Sequence, residues 1–381
     1  MDPSPKLCDR ASARLVQEYM KLQPKCSILG TVGVPACYGG FETLAEKLVL
    51  YHSENDLNIN LSVYCSAKSY PGRPEHFQTA KLRYIDLDAN GPQSILYDMT
   101  SLVSAVYHRA NYIILLGVSG ALALPFVRLF SHAHVITNID GIEWKREKWR
   151  GPARLVLKWS ERAAVRWSHV VIADNAAIAD HVKNTYGIDC KVIAYGGDHA
   201  VKAAPVEDPR IVLPEEFALA LCRIEPENNV AMILEAFAGL DTPLVFVGNW
   251  DKSDYGRDLK ARYKDHPTIT IHNPVYDPRD LRAIRDRASM YVHGHSAGGT
   301  NPSLVEMMHF DIPVLAHGCS FNHHTTEGKA RYFTSADELA EGVRSLSPQT
   351  AAQIGADMGE IARRRYTWNQ IGRAYFALLE S

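Results

Sequence analysis

No run of about 18 uncharged apolar residues occurs in this chain, so no membrane-spanning helix is expected. The N-terminal residues carry charges and prolines in place of a long apolar stretch, so a secretory leader is not expected either. Cysteine is sparse and scattered, at Cys8, Cys26, Cys37, Cys65, Cys190, Cys222 and Cys319. The number is odd and no pair has CxxC spacing, which argues against a disulfide framework or a zinc ribbon and fits a reducing cytoplasm. The net charge of −2 excludes a protein that binds polyanions through its overall charge. GxSxG and HExxH motifs and the kinase signature set are absent, as are internal repeats. His293, His295, His323 and His324 lack acidic or cysteine partners at ligand spacing, so no metal or other cofactor is expected.

What is present is an alternation. Short apolar runs recur at Cys26–Thr31, Leu61–Cys65, Lys81–Ile85, Tyr112–Leu116, His134–Asn138 and Val170–Ala173. A second series follows at Cys190–Ala194, Phe217–Cys222, Pro243–Val247, Ile269–His272, Met290–His293 and Pro313–Ala316. Amphipathic stretches such as Thr43–Asn55, Pro152–Trp167, Val230–Phe237 and Arg279–Arg287 lie between them. This pattern predicts an α/β chain of parallel sheets with crossover helices. A polar break from Gly196 to Pro214 holds two glycines and three prolines, and the linker is expected there. The predicted division is a first domain over 1–196, a second over 197–365, and a terminal helix over 366–381 able to cross back.

The chemistry-bearing residues cluster where strands end. Gly298-Gly299-Thr300-Asn301-Pro302-Ser303-Leu304-Val305-Glu306 reads as a glycine loop entering a helix with proline in its first turn. Such a loop offers backbone N–H groups to an anion, and Glu306 falls about one turn further on, able to meet a hydroxyl. The plain alternative is a tight turn capped by Thr300 or Asn301. Gly39 and Gly40 follow the first strand at a helix start and suit close approach of a ligand, although neither GxGxxG nor a P-loop is present. Asp140, beside Gly141 at a strand end, can accept or orient a proton, or merely form an Asx turn. Arg223 can clamp a phosphate with two N–H donors, or pair with Glu225 or Glu227. Tyr276 can line a nucleobase pocket, His293 is expected in the core, and His295 is a candidate sugar or phosphate contact. From Lys145 to Arg166 eight basic residues, including Arg146 and Lys148, interleave with Trp144, Trp149, Trp159 and Trp167. That pattern suits an anionic membrane surface or a pyrophosphate-bearing lipid, or else a solvated helix with its tryptophans in the core. No nucleic-acid module accompanies it.

Taken in order, these strings resemble the retaining family-four glycosyltransferases of the GT-B fold, with two Rossmann-like domains facing a central cleft. The resemblance runs from about Cys26 to the terminal helix. Within that family, Gly30-Thr31-Val32-Gly33-Val34-Pro35, Tyr38-Gly39-Gly40-Phe41-Glu42-Thr43, Asn138 to Arg146, Arg223 to Asn229 and Gly298 to Leu304 are similar to bacterial rhamnosyltransferases of capsule, O-antigen and cell-wall polysaccharide synthesis. The resemblance implies a nucleotide-sugar donor held by the second domain through Arg223 and the loop amides near Gly299 and Thr300, with Asn228, Tyr276, His295 and Asn301 around it. It implies that Glu306, the second glutamate of an E-x7-E motif, holds the ribose, and that Asp140 positions the acceptor. The implied donor is dTDP-L-rhamnose. The implied acceptor is a polyprenyl-pyrophosphate-linked saccharide, met at the inner face of the cytoplasmic membrane by Trp144, Lys145, Arg146 and Lys148. Two positions depart from the family pattern: the first glutamate of the motif is Gly298, and the lysine that partners the phosphate arginine is Asn228. A UDP-hexose donor, a sugar-nucleotide epimerase of the same fold and a non-catalytic nucleotide-sugar binder are the competing readings.

Overall fold

The computed structural model describes residues 23–37, 39–141, 144, 151–206 and 212–380. Two sheets form. The first contains β1 (Lys25–Leu29), β2 (Asn60–Ser66), β3 (His76–Phe77), β4 (Ala80–Ile85), β5 (Tyr112–Leu116), β6 (His134–Asn138), β7 (Val170–Ala173) and β8 (Lys191–Val192), in the order β3-β4-β2-β1-β5-β6-β7-β8. The second contains β9 (Ala218–Leu221), β10 (Leu244–Val247), β11 (Ile269–His272), β12 (Met290–His293), β13 (Val314–His317) and β14 (Arg331–Phe333), in the order β11-β10-β9-β12-β13-β14. All pairings are parallel except the short β3–β4 ribbon.

The central strands read as continuous apolar runs because helices cover both faces of each sheet; Leu244–Val247 is buried throughout. In each sheet the winding reverses beside the first strand, between β1 and β5 and between β9 and β12. In doubly wound sheets, ligands bind outside the carboxyl ends of the strands at that reversal. The GT-B expectation of two parallel-sheet α/β domains is therefore met.

Among the helices, α1 (Gly40–Glu54), α2 (Ser94–Tyr107), α3 (Leu124–Phe130) and α4 (Gly151–Trp167) belong to the first sheet. Residues 193–206 and 212–217 belong to neither sheet. The terminal helix Trp368–Ala377 lies on α1, where Phe376 stacks on Tyr51 with ring centroids 5.8 Å apart. It also reaches β6, because Asn138 Nδ2 donates to the Tyr375 hydroxyl at 2.7 Å. The terminal helix thus returns to pack on the first domain. No helix among the described residues is long and apolar enough to cross a membrane.

Candidate functional site

The two sheets meet through loops at the carboxyl ends of their strands. Asp140 follows β6 in the left-handed region at φ 57°, and its N–H donates to Asn138 Oδ1 at 3.0 Å. Its neighbour Gly141 touches the opposite domain: a Cβ there would lie 2.9 Å from Gly298 Cα. Asp174 follows the adjacent strand β7 and is buried. Its Oδ2 accepts from the Thr300 N–H at 3.1 Å, and its carbonyl accepts from the Thr300 hydroxyl at 2.6 Å. Gly299 makes this approach possible, since a Cβ there would come within 2.0 Å of Asp174 Oδ1. Burial, then the charge of Asp140, push the Asp174 carboxyl well above the usual carboxylate range. Asn175 completes the seam, capping the next helix at Ala177 N and donating to Thr300 Oγ1, the Phe321 carbonyl and Thr325 Oγ1.

This seam corrects one sequence-based expectation. The Thr300 N–H, expected to face a bound phosphate, is turned onto the protein's own Asp174. A buried carboxylate requires donors, and an anion-seeking loop amide is the donor at hand. Gly299 N–H has no hydrogen-bond partner among the described residues.

Other residues singled out in the sequence are engaged internally. Asn301 caps its helix, accepting from Ser303 N at 3.0 Å and Ser303 Oγ at 2.8 Å. Asn228 donates to the Arg223 carbonyl at 2.6 Å and faces His295 Nδ1 through Oδ1 at 2.7 Å. The position of the missing lysine is therefore a buried amide that braces the phosphate-arginine loop. Gly298 stands at φ 120° with its would-be Cβ 3.0 Å from His295 Nε2, so the place of the missing glutamate side chain is taken by His295. His293 is buried in the core, and burial lowers its pKa well below the ordinary histidine value. Gly39 precedes α1 at φ 128°, Gly40 packs near the Tyr195 hydroxyl, and Glu42 folds back to accept from the Thr31 hydroxyl and Val32 N–H.

The Glu306 carboxylate meets the Arg285 guanidinium through Oε2 and His199 through Oε1 at 3.3 Å. Burial alone would raise its pKa; Arg285 and His199 outweigh this and bring it down to about 2. Trp144 donates its indole N–H to the buried Glu161 at 2.9 Å, beneath Arg154 and Lys158. Lys145, Arg146 and Lys148 lie outside the described residues.

Arg223 and Tyr276 differ, because both open onto a cavity of about 370 Å³ between the domains. Cys37, after β1, lines it from the first domain. Ile224, Glu225, Asn249 and Lys252, in the loops after β9 and β10, line it from the second. Arg223 is half-exposed, and its only ion pair among the described residues, to Glu225, is long at 3.9 Å. The Lys252 side chain is exposed and makes no hydrogen bond or ion pair among the described residues. The cavity thus carries two cations, one carboxylate (Glu225) and one exposed phenol ring, a net positive lining that suits a flat base joined to a polyanion. Sequence reading missed Lys252, which belongs to no motif and sits five residues past β10. It also missed Asp174, although a carboxylate directly after a buried strand and beside a capping Asn175 was a readable signal. Among the described residues, no group of three or more His, Cys, Asp or Glu side chains is placed to hold a metal ion.

Comparison with known proteins agrees with this architecture. Residues 23–198 match a family described as a domain of unknown function, DUF1972. Residues 206–365 match the family described as glycosyl transferases group 1. No curated protein matches the chain. Among solved structures, sucrose-phosphate synthase from Thermosynechococcus elongatus is similar with a TM-score of 0.77 at 15% identity, over 94% of this chain and 98% of that one. The Anabaena protein HepE in complex with UDP and glucose is similar with a TM-score of 0.67 at 14% identity, over 94% of this chain and 100% of that one. A protein described as a putative UDP-N-acetylglucosamine 2-epimerase from Listeria monocytogenes is similar with a TM-score of 0.63 at 12% identity, over 94% and 96%. The chain therefore has the two-domain GT-B architecture and carries, over residues 206–365, a glycosyl transferases group 1 domain.

Proposed function

We propose that this protein transfers L-rhamnose from dTDP-L-rhamnose, with retention of configuration, to a polyprenyl-pyrophosphate-linked saccharide in bacterial surface polysaccharide synthesis. The observation that carries the donor half of this reading is the cavity holding Arg223, Lys252 and Tyr276 between the carboxyl ends of the two sheets. In it, the diphosphate lies against the two cations, and the base stacks on Tyr276. Glu306 is held in place by Arg285 and His199, and a carboxylate has enough lone pairs to accept ribose hydroxyls as well.

In the reaction, the bond from the sugar's anomeric carbon to the diphosphate oxygen breaks and its electron pair leaves with the diphosphate. Arg223 and Lys252 stabilise the charge that develops there. The acceptor hydroxyl bonds to the anomeric carbon on the face the phosphate leaves, and its proton passes to the departing phosphate oxygen. Asp140 positions that hydroxyl. Its position beside Gly141, which lies against Gly298 of the second domain, supports this role because loops of the two domains meet there. The enzyme works in the cytoplasm, peripherally on the inner face of the membrane where such acceptors are exposed. The choice of rhamnose rests on the subfamily resemblance of the sequence motifs.

A panel of dTDP-, UDP- and GDP-sugars, incubated with a polyprenyl-diphosphate saccharide and analysed by mass spectrometry, tests the reading. A deoxyhexose added only from dTDP-rhamnose supports it. Addition from a UDP-hexose alone replaces the donor. Conversion of a nucleotide sugar without any acceptor makes the protein an epimerase, and binding without turnover makes it a sensor.

A further inference from the structure

Three neighbouring helices of the first domain turn apolar side chains to solvent. On α3, Phe126, Leu129 and Phe130 are 63%, 74% and 74% exposed. Their spacing puts them on one helical face. On α4, Leu155 and Trp159 are both more than half exposed one turn apart, and on α2 the same holds for Val103 and Tyr107. The α3 helix packs against both α2 and α4, and Arg128 on α3 donates to the Trp167 carbonyl at the end of α4. The three outward faces therefore adjoin. Single exposed apolar side chains need no explanation, but an adjoining set of this size marks an interaction surface.

The charges on these helices have one sign. Arg128, Arg154, Lys158, Arg162 and Arg166 are exposed, whereas the only carboxylates, Asp98 and Glu161, are buried. Glu161 is moreover engaged by Trp144, His181 and Tyr186. The surface is thus apolar and cationic in a chain whose net charge is −2. A second copy docking face to face would set these cations against each other, which is unfavourable. An anionic lipid surface satisfies both features: rings and aliphatic chains enter the interface while arginine and lysine meet headgroups.

We infer that α2, α3 and α4 form a lipid-docking face, with Phe126, Leu129, Phe130 and Trp159 inserted into the interface of an anionic bilayer. The face shares α4 with the basic, tryptophan-bearing stretch from Lys145 to Arg166 and extends it onto α2 and α3, whose outward apolar residues no sequence motif marks. Trp144, clamped to α4 under Arg154 and Lys158, is four residues beyond Asp140. On the proposed function, docking therefore brings the lipid surface beside the acceptor side of the cleft.

Co-sedimentation of the full chain with phosphatidylcholine vesicles, with and without phosphatidylglycerol, tests this. No sugar donor is present, so the outcome is separate from that of the transfer assay. Wild type is expected to pellet only with phosphatidylglycerol. Leu129→Ser combined with Phe130→Ser is expected to weaken binding roughly tenfold or more at low and high salt alike. Arg162→Glu combined with Arg166→Glu is expected to weaken it by a similar factor at low salt and by less at high salt. Brominated lipid is expected to quench Trp159, read as the fluorescence difference between wild type and Trp159→Phe. Absence of wild-type binding, or equal binding by the apolar variant with an unchanged melting curve, overturns the inference. So does a concentration-dependent dimer abolished by Phe130→Ser, which assigns the face to a second copy.

Discussion

The Thr300 N–H donates to Asp174 Oδ2 at 3.1 Å, and so the glycine loop of the second domain is closed by a carboxylate from the first. A loop suited to an external anion is bonded instead to a buried carboxyl of its own chain. The other Asp174 oxygen is buried without a hydrogen-bond partner. Ionising that carboxyl in place is costly, whereas in a separated or unfolded state water would solvate it.

The sign of the resulting pH dependence follows. Because Asp174 is raised in the folded protein, its contribution to stability is full at pH below the ordinary carboxylate value of 3.8 and is lost as pH rises through its folded value. Asp174→Asn removes that titration. Melting temperatures of wild type and Asp174→Asn, compared across pH, are expected to diverge in favour of the variant as pH rises. Parallel curves would contradict the buried, Asp140-opposed placement of Asp174.

Glu306 behaves in the opposite sense. Its folded pKa of about 2 lies below the ordinary 4.5, so its stabilisation is present above 4.5 and is lost as pH falls toward 2. Glu306→Gln leaves the buried Arg285 without its counter-charge. Breaking such a pair costs about 3–5 kcal/mol. Urea unfolding at neutral pH is expected to show this loss, and the variant's acid limb is expected to flatten. A loss below about 1 kcal/mol would place the pair in effectively solvated surroundings.

Arg223 and Lys252 share the leaving diphosphate in the proposed reaction. Arg223→Ala is expected to lower kcat/KM by about a hundredfold or more, as removal of a contact to developing charge does. Lys252→Ala is expected to lower it by roughly tenfold to a hundredfold. Both side chains are half-exposed or more, so melting temperatures are expected to stay near wild type. Steady-state transfer kinetics check both values, and full activity in Lys252→Ala removes that residue from the site.

Asp140→Asn separates acceptor from donor. Turnover is expected to fall while donor affinity, measured by calorimetry, stays near wild type. An equal loss of both would move Asp140 from the acceptor side to the donor side.

Much of the fold is legible because buried strands of parallel sheets are simple apolar runs. Tyr112–Leu116, His134–Asn138, Val170–Ala173, Ile269–His272 and Met290–His293 coincide with their predicted ranges end to end. His76–Phe77 and Arg331–Phe333 were missed: both are short edge strands defined by pairing rather than by an apolar pattern. The α2 and α3 helices carry apolar side chains on their outward faces too, which blurs the amphipathic period there. At the site, Arg223 and Tyr276 were readable from their places after strands. The bond from Thr300 to Asp174 was not, because it spans 126 residues and no local pattern records which domain an amide will face. Lys252 was invisible for the same reason: only the folding of two separate loops brings it to Arg223.

The most direct test is calorimetric titration of dTDP-L-rhamnose into wild type and into the Arg223→Ala, Lys252→Ala double variant. Saturable binding at one site per chain in wild type, lost in the folded double variant, is the predicted result. Equal affinity in the two proteins would contradict the claim that this cleft holds an activated sugar by its diphosphate.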